Sequence, residues 1–246
     1  MQLAAHPVRW GLMAELAGSD FRVRELATRL DQPQNLVSYH LRLLRDGGLV
    51  TATRSSADRR DSYYHLDLDR CARALAGSGT ALHPALQPTH PPSDPASPQG
   101  SGRPLSVLFV CTGNSARSPV AEALLTLRSA GAVRATSAGS RPKERLHPGA
   151  VRVLRGRFDV DVSAQRPRHL NEVAAESFDL VITLCDKARE VCPGFSGPAR
   201  RMHWSIPDPA TADASGDEAF ERAADEIDAR VGHLLPVLAT TPSPRG

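Results

Sequence analysis

Cys111 follows the apolar run LSVLFV (Leu105–Val110) and opens the octapeptide CTGNSARS, which ends at Ser118. A cysteine, five residues, an arginine and a serine, set between a buried strand and a helix, make a definite chemistry available. Such a turn curls the backbone so that N–H groups of Thr112, Gly113, Asn114, Ser115 and Ala116 point inward, beside the positive end of the next helix. That cradle suits a tetrahedral oxyanion, and the Arg117 guanidinium adds a two-pronged donor for its oxygens. The same field, with the Ser118 hydroxyl as donor, favours the Cys111 thiolate and so makes it a nucleophile. Gly113 is expected to take a backbone conformation closed to other residues.

Two more thiols, Cys185 and Cys192, lie in TLCDKAREVCPG (Thr183–Gly194). Seven positions apart on a helix places them on one face, about 10 Å apart. A disulfide needs Cα atoms within about 7 Å, so the segment must unwind for them to pair, and Pro193-Gly194 makes its end easy to release. The alternatives are a pair of core cysteines, or a zinc site with His203 that lacks a short Cys-x2-Cys element. Asp208, in HWSIPDPA, follows the last apolar strand and is a candidate general acid; the alternative is a turn or capping aspartate. The fourth cysteine, Cys71, reads as a core residue.

The elements that must position these groups alternate from Leu105 onward. Strands LSVLFV, VRATSA, FDLVITLC and RRMHWSI interleave with helices SPVAEALLTLRSA, HPGAVRVLRGR and FERAADEIDARVGHLLPVL. Continuous apolar strands between amphipathic helices predict an α/β parallel sheet covered on both faces, with ligands at the carboxyl ends of its strands. Upstream, Pro84–Pro104 holds seven of the chain's 20 prolines and almost nothing apolar, which reads as a linker. The expected division is a domain over 1–80, a linker over 81–104 and a domain over 105–240, with a disordered tail, Thr240–Gly246. The first domain reads as helices Pro7–Ala17, Val23–Leu30 and Gln34–Val50, then two strands around a polar turn over Thr51–Leu68. This is a winged helix-turn-helix, all-α apart from its wing.

Apolar residues make up 41% of the 246, enough for real cores, and the formal charge of +3 argues for no partner by itself. Only Lys143 and Lys187 of the 30 basic residues are lysines, so the arginine excess reads as compositional bias. No signal pattern and no apolar run near 18 residues is visible, which predicts a soluble, cytoplasmic protein without a membrane partner. In a reducing compartment four cysteines read as reactive or metal-binding before structural.

Residues from about Ala4 to Leu68 resemble the ArsR family of winged-helix repressors, in HPVRWGLMAELA, VRELATRLDQPQNLVSYHLRLLRDGGLV and the arginine-bearing wing. The resemblance implies double-stranded operator DNA as partner and a homodimer formed through this domain. It places Gln34, Asn35, Ser38, Tyr39 and His40 in the major groove, and Arg42, Arg54, Arg59 and Arg60 on phosphates or the minor groove. Where metalloid-sensing members carry a cysteine pair, this chain reads Val23-Arg24-Glu25.

The stretch VLFVCTGNSARSPVAEALL resembles the low-molecular-weight protein tyrosine phosphatase superfamily, which includes one class of arsenate reductases; the likeness runs from about Leu105 to Leu238. It implies a four-stranded parallel sheet in three layers. TLC-x6-CP and HW…DPA resemble the thioredoxin-coupled reductases rather than the phosphatases. The resemblance implies a relay for arsenate or a phosphate-like oxyanion, with catalytic Cys111, Arg117, Asp208, Cys185 and Cys192. No tightly bound cofactor and no metal is expected, with electrons from thioredoxin or another thiol system. Glu122 and Ser137 match positions of a potassium site in some reductases, whose added aspartate is replaced here by Arg168. The runner-up is a regulator fused to a phosphatase or to an oxyanion or redox sensor.

Overall fold

The computed structural model describes residues 3–82, 104–192, 199–211 and 217–240. The proline-rich stretch other than Pro104, Pro193-Gly194 and the tail beyond Thr240 lie outside them. The chain divides into two compact units, Met1–Ser93 and Asp94–Gly246.

In the first unit, α1 (Pro7–Leu16) begins with proline at a position where no N–H is needed, and the His6 side chain caps it by accepting from Val8 N at 3.2 Å. Strand β1 (Phe21–Arg22) leads into α2 (Val23–Leu30), whose Glu25 reaches back to Arg22 N at 2.8 Å. Then α3 (Gln34–Asp46) ends at Gly47, and Gly48 takes the left-handed φ of 71° that closes it. Strands β2 (Val50–Arg54) and β3 (Ser62–Leu66) form the wing, and the antiparallel sheet runs β1-β3-β2. Leu12, Leu26, Val37, Leu41 and Leu44 are fully buried between the helices.

The two-residue β1 was not foreseen; it exists only through pairing with β3. Nor was α4 (Leu68–Leu82), which runs through Cys71 into residues expected to be linker. Its Gly, Ser and Thr content hides it, but Asp67 caps it by accepting from Arg70 N at 2.8 Å. Cys71 packs in the core, as its sequence context predicts.

In the second unit, β4 (Ser106–Cys111), β5 (Arg134–Gly139), β6 (Leu180–Thr183) and β7 (Arg200–His203) form an all-parallel sheet in the order β5-β4-β6-β7. Successive strand side chains point to opposite faces, so the complete burial of Val107, Leu108, Phe109 and Val110 means that both faces of β4 are covered. Helices α5 (Arg117–Arg128), α6 (Pro148–Phe158) and α8 (Asp217–Thr240) pack on one another, and the short α7 (Asp186–Val191) packs on β4 and β6. Both β6 and β7 end earlier than their apolar patterns predict. Leu184 N instead bonds Val110 O at 2.7 Å, and Cys185 caps α7 in an extended conformation.

Candidate active site

Cys111 is the last residue of β4 and is 2% exposed. Its Sγ lies 3.0 Å from Ser118 Oγ and accepts from Asn114 N at 3.2 Å. Thr112 to Ala116 form the loop between β4 and α5. The carbonyls of Thr112, Gly113 and Ser115 accept from Arg141 N, Lys143 N and His147 N at 2.8, 2.9 and 2.7 Å. A trans peptide points its N–H opposite its C=O, so pinning these carbonyls outward turns the intervening N–H groups inward. Residues 140–147 thus hold the cradle open, a role that no motif in them signals.

The left-handed residue of the loop is Asn114, at φ 43°, and not Gly113 as expected. Asparagine tolerates this region, and its amide compensates by bonding on every side. Nδ2 donates to Ser118 Oγ at 2.9 Å and Ser137 Oγ at 2.8 Å, and Oδ1 accepts from Arg168 N at 2.7 Å. The glycine that the loop does need stands beside it, at position 139. A Cβ on Gly139 would stand 2.7 Å from Thr112 O and 2.9 Å from Asn114 N.

Arg117 is 7% exposed; it donates through Nη1 to Ile206 O at 2.9 Å and through Nη2 to Asp208 Oδ2 at 2.7 Å. Its Nε is a buried donor with no acceptor among the described residues. Asp208 is half-exposed and also accepts from Ala210 N at 3.1 Å, so it shapes its own turn as well as facing Arg117. Cys185 is 2% exposed, with Sγ 3.3 Å from Thr112 Oγ1. Burial pushes its thiol above the ordinary value, against the pull of Arg117. Cys192, at the other end of α7, is half-buried and shifted the same way, again by burial.

The fold therefore gathers Cys111, Arg117, Asp208 and Cys185 around one loop, with Cys192 one short helix away. Glu122 accepts from Ser137 Oγ at 2.5 Å and from Arg168 Nη2 at 2.7 and 2.8 Å, so a guanidinium occupies this carboxylate, where no cation was expected. Among the described residues no group of three or more His, Cys, Asp and Glu is placed to hold a metal ion. His203 pairs instead with Asp186.

In the first unit Gln34, Asn35, Ser38, Tyr39 and Arg42 share the exposed face of α3, with Arg45 continuing it. His40 does not belong there: it is 4% exposed and packs against His6 with the rings tilted, their centroids 4.3 Å apart. One step along the helix from Tyr39 rotates it into the core. Arg54, Arg59 and Arg60 are exposed on the wing; Arg54 Nη1 donates to Arg59 O at 3.0 Å, and Arg60 pairs with Asp58.

Comparison with known proteins bears on both units. Residues 6–61 match the MarR family. The residue resemblance was to ArsR; the helix-turn-helix and wing order that carried it is common to both families and could not separate them. Residues 106–242 match the low molecular weight phosphotyrosine protein phosphatase family. Arsenate reductase 1 of Bacillus cereus is 34% identical over 126 residues, which is 51% of this chain and 90% of the relative. The arsenate reductase of Brevibacillus brevis is 36% identical over 128 residues, again 51% and 90%. Among solved structures, an arsenate reductase from Archaeoglobus fulgidus is 33% identical, covering 53% of this chain and 98% of that one, with a TM-score of 0.45. No described helix is long and apolar enough to cross a membrane. With a winged helix-turn-helix unit ahead of it and a matching segment that spans more than half of the 246 residues, the chain belongs to the low molecular weight phosphotyrosine protein phosphatase family.

Proposed function

We propose that the second unit reduces arsenate to arsenite through a cysteine relay, and that the first is a DNA-binding transcriptional regulator of arsenic resistance. The observation that carries the reductase reading is a second buried thiol, Cys185, whose sulfur bonds Thr112 in the loop that begins at Cys111. Ester hydrolysis in a cradle of this kind needs a nucleophile, an arginine and an acid; it has no use for that thiol. The curated relatives named arsenate reductase support the same reading.

The loop N–H groups and Arg117 hold arsenate, and the unsatisfied Nε of Arg117 offers one more donor. Cys111 attacks arsenic while Asp208 protonates the departing hydroxyl. Cys185 then attacks the Cys111 sulfur; the As–S bonding pair stays on arsenic, which leaves as arsenite. Cys192 displaces Cys111 from Cys185, and thioredoxin or another thiol reduces the Cys185–Cys192 disulfide. Thioredoxin-linked NADPH oxidation driven by arsenate tests this reading. It should vanish in Cys111→Ser and Cys185→Ala, and Cys192→Ser should stop after about one turnover. Hydrolysis of p-nitrophenyl phosphate without arsenate-driven oxidation would establish the phosphatase reading instead.

For the first unit, the exposed face of α3 and the wing arginines support duplex DNA as partner. Arg42→Ala should weaken duplex binding and lower its salt slope by about one unit. A second copy of the chain is the proposed occupant of a groove of about 760 Å³ lined by Trp10, Met13, Leu49, Leu66, Cys71 and Leu75. Trp10 and Leu75 are 58% and 52% exposed at this groove, and two-fold repressors read two half-sites. Leu75→Asp should yield a monomer in sedimentation.

A further inference from the structure

A polar cluster used by no step above lies directly behind Cys185. Asp186, His203 and Ser205 are 2%, 2% and 3% exposed. Asp186 Oδ1 accepts from Ser205 Oγ at 2.8 Å and lies 3.0 Å from His203 Nε2. On its other side, His203 Nδ1 lies 2.8 Å from Thr183 Oγ1 and 3.1 Å from Thr183 O. The cluster therefore ties the ends of β6 and β7 to the first residue of α7. Burying such polar groups is costly unless they are mutually satisfied, so the arrangement is held firmly once formed.

Its place in the chain gives it a purpose. Helix α7 has six residues, too few to hold itself. Cys185 sits between two fixed points: Leu184 N, bonded to Val110 O at 2.7 Å, and Asp186 in the cluster. The far end, at Cys192, is half-buried and packs against the core.

We propose that Asp186, clamped by His203 and Ser205, is the positioning residue for Cys185. It fixes the start of α7 so that the Cys185 thiol stays beside Thr112, within reach of Cys111. The proposal rests on the reading that Cys185 attacks the Cys111 sulfur. The same segment carries Ile206 and Asp208, which hold Arg117, so a test must read the cradle and the second thiol separately.

The test uses the full-length chain carrying Cys192→Ser, oxidised with diamide, with the Cys111–Cys185 cross-link followed by peptide mass spectrometry. The two thiols give up two electrons and two protons, which the N=N bond of diamide takes up, leaving a disulfide and a hydrazine. Asp186→Ala and Ser205→Ala should slow cross-linking by about 10²-fold, the usual cost of misplacing a reacting group. Asp186→Asn, whose amide oxygen still accepts from both partners, should recover most of the rate. Alkylation of Cys111 by iodoacetamide, and its protection by inorganic phosphate, should stay at the parent's values throughout. An unchanged cross-linking rate in Asp186→Ala overturns the proposal. So does an Asp186→Asn variant no faster than the alanine, or loss of Cys111 alkylation in parallel. Should Asp186→Ala fail to fold, the comparison of Ser205→Ala with Asp186→Asn decides. Because diamide replaces arsenate, a wild type that never reduces arsenate would sink the reductase reading and leave this result standing.

Discussion

Cys111 and Cys185 are both buried thiols beside Arg117, yet they are prepared differently. The Cys111 sulfur accepts from Asn114 N and lies against Ser118 Oγ. Cys185 meets the Thr112 hydroxyl and the Ala188 N–H, yet burial outweighs both and holds its thiol above the ordinary range. Only the thiolate attacks, so the second step of the relay should be limited by deprotonation of Cys185. In Cys192→Ser, the rate of Cys111–Cys185 disulfide formation after arsenate binding should climb with pH through neutrality. While pH stays below the raised value, the slope should approach about tenfold per unit. A flat profile in rapid-quench measurements would count against Cys185 as the attacking thiol in its buried position.

At the scale of elements, short pieces depend on their neighbours. Helix α7 begins just after β6 ends, and its first residue, Asp186, meets His203 at the end of β7. Helix α3 divides its residues between an exposed stripe and a core stripe, and His40 falls on the latter. Burial lowers the His40 pKa below its ordinary 6.5, helped by His6 and Arg9. The sign follows directly. As pH drops below 6.5 the unfolded chain binds a proton at this residue before the folded chain does, so stability is full above that value and falls below it. Urea midpoints of the first unit should decline through this range, and His40→Asn should flatten the decline. An unchanged slope in that variant would assign the acid sensitivity elsewhere.

Across the whole molecule, the two hydrophobic cores share no residue: one gathers around Leu12, Leu26 and Leu41, the other around Phe109, Leu124 and Ile182. Each unit therefore has its own cooperative basis. Leu41→Ala, at a fully buried site, should cost the first unit about 2–5 kcal/mol. In calorimetry only the transition of that unit should move, and arsenate turnover at low temperature should match the wild type. A shift of both transitions would show that the units unfold together.

The strand and helix order of the second unit, and the candidate residues Cys111, Arg117 and Cys185 that it brings to one loop, were legible because they depend on local pattern. Apolar runs, helical spacing and a Cys-x5-Arg-Ser turn carry their meaning within a few residues of each other. His40 was misplaced because a pattern of exposed polar residues does not reveal where a helix turns a half-polar ring inward. The left-handed Asn114 was missed because its compensation comes from Ser137 and Arg168, distant in the chain. Sequence alone thus determined which side chains could do chemistry. Tertiary structure decided what orients them: carbonyls pinned by residues 140–147, a guanidinium on Glu122, and a buried aspartate behind Cys185. These are long-range hydrogen bonds, whose partners are chosen by packing rather than by neighbours along the chain.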